Sequence, residues 1–324
     1  MKIKTIYLVV LSLAIFAVAA MACGSSGGTY KIGLLSPQTG PIAVYAPGFE
    51  DAANVAIAEL NDNEEGNVFE LVVVDSGCDG TQAATAAQTL IDSGVVGIVG
   101  AACSGATLGA IAVASEAGIP MVSYASTSPA VTTASDNGYL FRVVPSDAQQ
   151  AIALTAVVAD GGDSNPAILY MTNDYGSGLA DNFAANWSGD VCTTNAYDPT
   201  EGSYDASTIA QSVIDAGCDS AVLISYATDG AAIIEALKGQ GFSGTIYGAD
   251  GIADAAFASA FTDAAAVAGV IATKPRPGAE SSAQSTFNSA YSAAGGDAEG
   301  IYTHETYDAV KIIAHAALEG SDDI

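Results

Sequence analysis

The chain is poor in positive charge. Only eight of its 324 residues are Lys or Arg, against 36 Asp and Glu, for a formal net charge of −28. Two of the eight, Lys2 and Lys4, lie at the extreme N-terminus, so the remainder is more acidic still. Such a surface cannot build the basic stripe that follows a phosphate backbone, which excludes nucleic acid as a partner. Histidine is almost as scarce. His304-Glu305 lacks the second His of a zinc-binding helix, and His315 does not supply it. No local Cys–His pairing suggests a nucleophile or a zinc site, so neither metal nor cofactor is expected. Ser177 stands in Tyr175-Gly176-Ser177-Gly178, outside the G-x-S-x-G context of a hydrolase, and a P-loop is missing. The chain reads as a non-enzyme, with no residue assigned a catalytic role.

What is present begins with a leader. Lys2 and Lys4 precede an apolar run from Ile6 to Val18, and small residues lead to Ala20-Met21-Ala22-Cys23. That is the pattern of an export signal over residues 1–22. Cys23 directly after a small-residue cleavage site resembles a bacterial lipobox, which implies lipidation of Cys23 and attachment to a membrane. Ala20 stands where that motif has Leu, and Ala20-Met21-Ala22 also suits ordinary cleavage. The Gly- and Ser-rich stretch that follows makes residues 23–29 a flexible tether.

Beyond the tether, short apolar runs alternate with Ala-rich amphipathic ones. The apolar runs at 30–35, 69–74, 95–99, 120–124, 139–144, 167–171, 220–225, 244–247 and 268–273 have the length and β-branched character of buried parallel strands. Helical patterns fall between them, such as those at 47–60, 81–93, 148–160, 178–187 and 230–239, the turn at 100–107 opens a further helix, and two more lie at 279–293 and 301–319. This alternation predicts an α/β fold, and the length calls for two Rossmann-like lobes with parallel sheets. Seams fall near Pro145 and at Lys274-Pro275-Arg276-Pro277, where proline interrupts regular structure. Lobe 1 is then 30–145 plus 277–324, lobe 2 is 146–276, and the crossings between them form a hinge.

Four cysteines remain after the leader and Cys23: Cys78, Cys103, Cys192 and Cys218. An even number in an exported chain suggests two disulfides, although buried free thiols are the alternative. Three pairings exist. Cys78–Cys103 and Cys192–Cys218 are the pair that keeps each bridge within one predicted lobe.

In parallel sheets, ligands bind beyond the carboxyl ends of the strands. Those turns carry Gly100-Ala101-Ala102-Cys103-Ser104, Ala125-Ser126-Thr127-Ser128-Pro129, Asn173-Asp174-Tyr175-Gly176, Tyr226 and Gly248-Ala249-Asp250-Gly251. With Gly33-Leu34-Leu35-Ser36-Pro37-Gln38-Thr39-Gly40-Pro41, Ile119-Pro120-Met121-Val122-Ser123 and the stretch from Tyr302 to Lys311, they make the chain resemble the leucine/isoleucine/valine-binding proteins of ABC transporters, the type I periplasmic binding fold. The resemblance implies an extracytoplasmic, monomeric substrate-binding protein that closes over an aliphatic or branched-chain amino acid and delivers it to permease subunits. It implies that Ser104 and Thr127 bind the ligand carboxylate and that the Ala125 carbonyl accepts from its ammonium. Asp250 would pair with that ammonium, although the family's usual residue there is Glu. Tyr175 and Tyr226 would close over the ligand from lobe 2, and Tyr45 would form a wall in lobe 1. The resemblance also implies the Cys78–Cys103 bridge, and final strands of lobe 2 beyond the last helix, which Ile324 would leave missing. Blander roles are an N-cap for Ser104, an Asx turn before Gly251 for Asp250, and plain packing for each aromatic. Rival ligands are an amide, urea or an aromatic acid, and a rival role is the ligand-binding subunit of an extracellular sensor.

Overall fold

The computed structural model describes residues 27–64, 66–200, 202–276, 278, 281–297 and 300–321. The predicted leader at 1–22 and Cys23 lie outside the described residues. The first sheet contains β1 (Thr29–Ser36), β2 (Val68–Asp75), β3 (Gly97–Val99), β4 (Met121–Ser123) and β5 (Leu140–Arg142), in the order β2-β1-β3-β4-β5. Its connections are α1 (Ala46–Asn63), α2 (Gly80–Asp92), α3 (Ser104–Glu116) and the short α4 (Pro129–Thr132). The second sheet contains β6 (Pro166–Met171), β7 (Thr193–Tyr197), β8 (Ser220–Ile224), β9 (Thr245–Gly248) and β10 (Val270–Ala272), in the order β10-β9-β8-β6-β7. With it run α5 (Asp147–Asp160), α6 (Asp174–Asn186), α7 (Ala206–Ala216), α8 (Ala227–Gly239) and the short α9 (Ala255–Ala258). All neighbouring strands are parallel. The two parallel-sheet lobes expected from the sequence are the architecture found.

The chain passes from the first sheet to the second between β5 and β6, through Pro145. After β10 come α10 (Ser282–Ala293) and α11 (Thr303–Ser321), which pack against α1 of the first lobe. Tyr291 donates to the Gly48 carbonyl at 2.9 Å, Tyr307 donates to Glu59, and Lys311 pairs with Glu59 at 2.8 Å. Among the described residues this is the one ion pair. With cations so few, acids find partners at helix starts. Asp79 caps α2 by accepting from the Thr81 and Gln82 amides at 2.9 and 2.8 Å. Asp205 caps α7 in the same way, and Asp254 caps α9. A carboxylate there satisfies free amides and meets the positive end of the helix dipole.

Helices α2 and α3 approach so closely that glycine is required between them. A Cβ at Gly109 would lie 2.0 Å from the Gly80 carbonyl oxygen. The bridge Cys78–Cys103, with Cα atoms 5.2 Å apart, joins the chain at the starts of these two helices. Cys192–Cys218, with Cα atoms 5.5 Å apart, ties the entry of β7 to the entry of β8. Both pairings are those expected. Gly109→Val is expected to destabilise the chain by about 1–3 kcal/mol through overpacking, read as a lower midpoint in urea. An unchanged midpoint would show that the helices have room to separate.

Two departures from the expected elements have physical causes. Strand β7 falls where the sequence shows no apolar run. It is an edge strand beside β6, and its Thr193-Thr194-Asn195 start is only partly buried, so it carries little hydrophobic signal. Helix α6 begins at Asp174, four residues ahead of the expected 178, because the Asn173 side chain accepts from the Gly176 amide at 2.8 Å and starts the helix early.

Candidate ligand-binding site

The carboxyl ends of both sheets face one cleft of about 450 Å³, open mouth included. Ser104, Ala125, Thr127, Tyr175, Tyr226, Asp250 and Tyr45, the seven residues singled out in the sequence, all line it. Ile42, Phe49, Ala102, Gly251, Ile301 and Tyr302 complete the wall.

The first lobe presents a rigid polar floor. The turn after β3 and the turn after β4 are locked together by buried hydroxyls. Ser123 donates to the Ala101 carbonyl at 2.8 Å, the Ser126 hydroxyl reaches the Ala101 and Ala102 carbonyls at 3.1 Å, and Thr107 and Ser126 share a bond of 2.7 Å. Below them, Arg142 donates through Nη1 to the Ser126, Thr127 and Ser128 carbonyls at 3.2, 3.0 and 2.9 Å. Ser104 is the first residue of α3, and Cys103 holds the N-cap position without a side-chain cap bond. The Ser104 hydroxyl accepts from the Ser128 amide at 3.2 Å, so its role is not that of a plain cap. Its backbone N–H lies at the helix start, where four amides have no intrahelical partner and an anion is favoured. Tyr45 leans on Phe49, and Phe49 on the buried Tyr124, with centroids 6.4 and 4.9 Å apart. This gives the floor an aromatic side.

The second lobe brings an acid. Asp250 follows β9 in a 3₁₀ turn, Asp250–Ile252, and is 4% exposed. Its Oδ1 accepts from Tyr175 at 2.8 Å and its Oδ2 from Tyr302 at 2.7 Å. Both carboxylate oxygens therefore turn to tyrosines, which sets aside the plain Asx turn. The Tyr175 hydroxyl in turn accepts from the Gly251 amide at 3.1 Å. The rings of Tyr175 and Tyr226 stack at 5.6 Å and 8°. Tyr302 leads into α11 of the first lobe, so its bond to Asp250 crosses the cleft, as does the 3.0 Å bond from the Ile301 amide to Asp254. Burial holds the Asp250 carboxyl above its ordinary pKa, against the pull of the Tyr302 and Tyr175 donors. Burial also raises the Tyr175, Tyr226 and Tyr302 hydroxyls, with Asp250's charge adding to it, so all three stay neutral donors.

Sequence reasoning missed Tyr302, Phe49, Ile42 and one deeper residue. Tyr302 follows no strand, so the rule that placed the others does not reach it. The deeper residue is Asp147, the first residue of α5, fully buried directly behind Thr127. Its amide donates to the Thr127 carbonyl at 2.8 Å.

Two five-stranded parallel sheets, with polar groups from both converging on the cleft between them, define the type I periplasmic binding fold. The chain belongs to the periplasmic binding protein family, whose sequence profile matches residues 29–323. It is 26% identical to the leucine-, isoleucine-, valine-, threonine- and alanine-binding protein of Pseudomonas aeruginosa, over 93% of this chain and 81% of that one. Among solved structures, the branched-chain amino acid transporter substrate binding protein LivJ of Streptococcus pneumoniae, in complex with isoleucine, superposes with a TM-score of 0.79. Identity is 26%, over 89% of this chain and 84% of that one. A solute binding protein of R. palustris in complex with 4-hydroxybenzoate shares the fold at a TM-score of 0.78 and 19% identity, over 88% of this chain and 79% of that one. No helix among the described residues is long and apolar enough to cross a membrane.

Proposed function

We propose that this chain is the extracytoplasmic substrate-binding protein of an ABC importer and captures a zwitterionic amino acid, aliphatic or branched-chain, by hinge closure. The observation that carries the reading is the placement of opposite polarities. The start of α3 at Ser104 offers amides to a carboxylate, and the buried Asp250 faces it from the other lobe with an acid for an ammonium. Ala125 and Thr127 hold the ligand from the first lobe, and Tyr175, Tyr226 and Tyr45 enclose it. The named ligands of the Pseudomonas and Streptococcus relatives support the aliphatic class. On this reading the protein acts as a monomer, held at the outer face of the cytoplasmic membrane through lipidated Cys23, and hands its ligand to permease subunits.

A thermal-shift panel of amino acids, amides and aromatic acids tests this. A true ligand at a hundred times its Kd is expected to stabilise the chain by about 2.7 kcal/mol. A shift with aromatic acids and none with any amino acid would overturn the reading, because Asp250 would then face a ligand with no ammonium.

A further inference from the structure

The two disulfides stand in different surroundings. Cys192–Cys218 lies at the amino-terminal entries of β7 and β8, away from the cleft, and both its residues are partly exposed. Cys78–Cys103 stands beside the cleft. Cys103 sits between Ala102 and Ser104, both of which line it, and is 4% exposed. Cys78 is half-buried, and its sulfur lies 4.0 Å from the Tyr226 hydroxyl. Tyr226 follows β8 of the second lobe, so this contact crosses the cleft. The two lobes together cover a sulfur that their parting would leave to solvent.

We propose that the Cys78–Cys103 bridge is a thiol–disulfide exchange site gated by the cleft: a thiol attacks the Cys78 sulfur when the lobes part, and an amino acid held between closed lobes protects it. This rests on the amino-acid reading above and deepens it, because the same site then answers to thiols as well as to its ligand.

The exchange with a dithiol runs in two steps. One thiolate of the dithiol attacks Cys78 Sγ and forms a mixed disulfide. The bond to Cys103 breaks, and Cys103 leaves as a thiolate with the electron pair. The second thiolate then attacks the dithiol's own sulfur in the mixed disulfide, closes an oxidised ring and releases Cys78, which takes a proton from water. The bridge gains two electrons and the dithiol loses two. The fold sets the direction of the first attack. Cys78 is the more exposed of the two, and Cys103 is the better leaving group, because it holds the N-cap of α3, where unpaired amides favour a thiolate. While bridged, Cys103 makes no side-chain cap bond. As a thiolate it takes the amides that the start of α3 would offer to a ligand carboxylate. Cys78 also has φ 57°, a left-handed conformation that is uncommon for a residue with a side chain, and its turn is free to relax once the bridge is cut. Ligand and bridge therefore support each other, and linkage makes the support equal in both directions.

The test treats the full chain, both bridges formed, with dithiothreitol, with and without L-leucine at a hundred times its Kd. Thiols are alkylated at intervals and each cysteine is read by mass spectrometry. Leucine is expected to slow the opening of Cys78–Cys103 about a hundredfold, since only roughly one chain in a hundred is then without ligand. The rate at Cys192–Cys218 is expected to stay unchanged. With glutathione in place of the dithiol, the adduct is expected on Cys78 and the free thiol on Cys103. Equal slowing of both bridges would show that leucine acts through global stability alone, and would overturn the proposal. So would an adduct on Cys103, or a bridge that opens at the same rate in a chain shown by calorimetry to bind leucine. Each of these leaves the amino-acid reading standing. A chain that binds neither leucine nor any other amino acid of the panel would overturn both.

Discussion

Asp250→Ala is expected to weaken amino-acid binding by roughly thirtyfold to several thousandfold, while both lobes remain folded. Truncating one partner of a buried, hydrogen-bonded charge pair costs about 2–5 kcal/mol, much of it the penalty on the partner left behind. Here three partners lose their acceptor: the ligand ammonium, Tyr175 and Tyr302. The loss falls on closure in particular. On the proposed reading Ser104, Ala125 and Thr127 hold the ligand from one side, and only an attraction that the second lobe adds on closing shifts the hinge toward the closed form. Both lobes are expected to fold without it, because the residue sits in a single 3₁₀ turn after β9 and not within a strand or long helix. Asp250→Asn is expected to lose less, because the amide oxygen still accepts from one tyrosine. Calorimetry gives the affinities and small-angle scattering follows closure. Unchanged affinity with closure intact in Asp250→Ala would reduce Asp250 to a turn residue.

Replacing Cys78 and Cys103 together by Ser is expected to cost roughly 3–4 kcal/mol of stability, since a bridge of this span removes that much conformational freedom from the unfolded chain. The bridge spans 25 residues and the second spans 26, so the two stability losses should be similar. Their effects on binding should differ. Cys103 directly precedes Ser104 at the start of α3, whereas Cys192 and Cys218 lie at the far, amino-terminal ends of β7 and β8. The first pair should therefore lower both the urea midpoint and the affinity, and the second pair only the midpoint. A first-pair variant as stable as the parent would show that the bridge constrains nothing the unfolded chain would otherwise explore.

The sheets were legible because parallel strands buried on both faces leave continuous apolar runs, as at Ile32, Leu34 and Leu35 or Ala221 to Ile224. The seven residues now seen around the cleft were legible for a related reason: most follow a strand, and strand ends converge on one edge of each sheet. Strand β7 was hidden because an edge needs no apolar run. Tyr302 was hidden because it comes from the segment ahead of α11, and no periodicity tells which lobe that segment meets across the cleft. Asp147 was hidden most completely. In sequence it is an acid in the first turn of a helix capped by Ser146, the commonest and blandest place for one. Only three-dimensional packing shows that it is buried behind Thr127 and within reach of the charge on Asp250.

Lys311 and Glu59 form the one ion pair among the described residues of a chain whose two lobes are both strongly acidic, and this makes dissolved salt a variable of the hinge. Closure brings two like-charged bodies together with almost no cations to offset them. In dilute medium their repulsion reaches about 30 Å, and at 1 M salt only about 3 Å. An amino-acid zwitterion carries no net charge into the cleft, so it ties the jaws together locally without relieving the repulsion between them. That relief comes from the cloud of small cations around the acidic surface, which acts on the open–closed balance as an unspecific second effector.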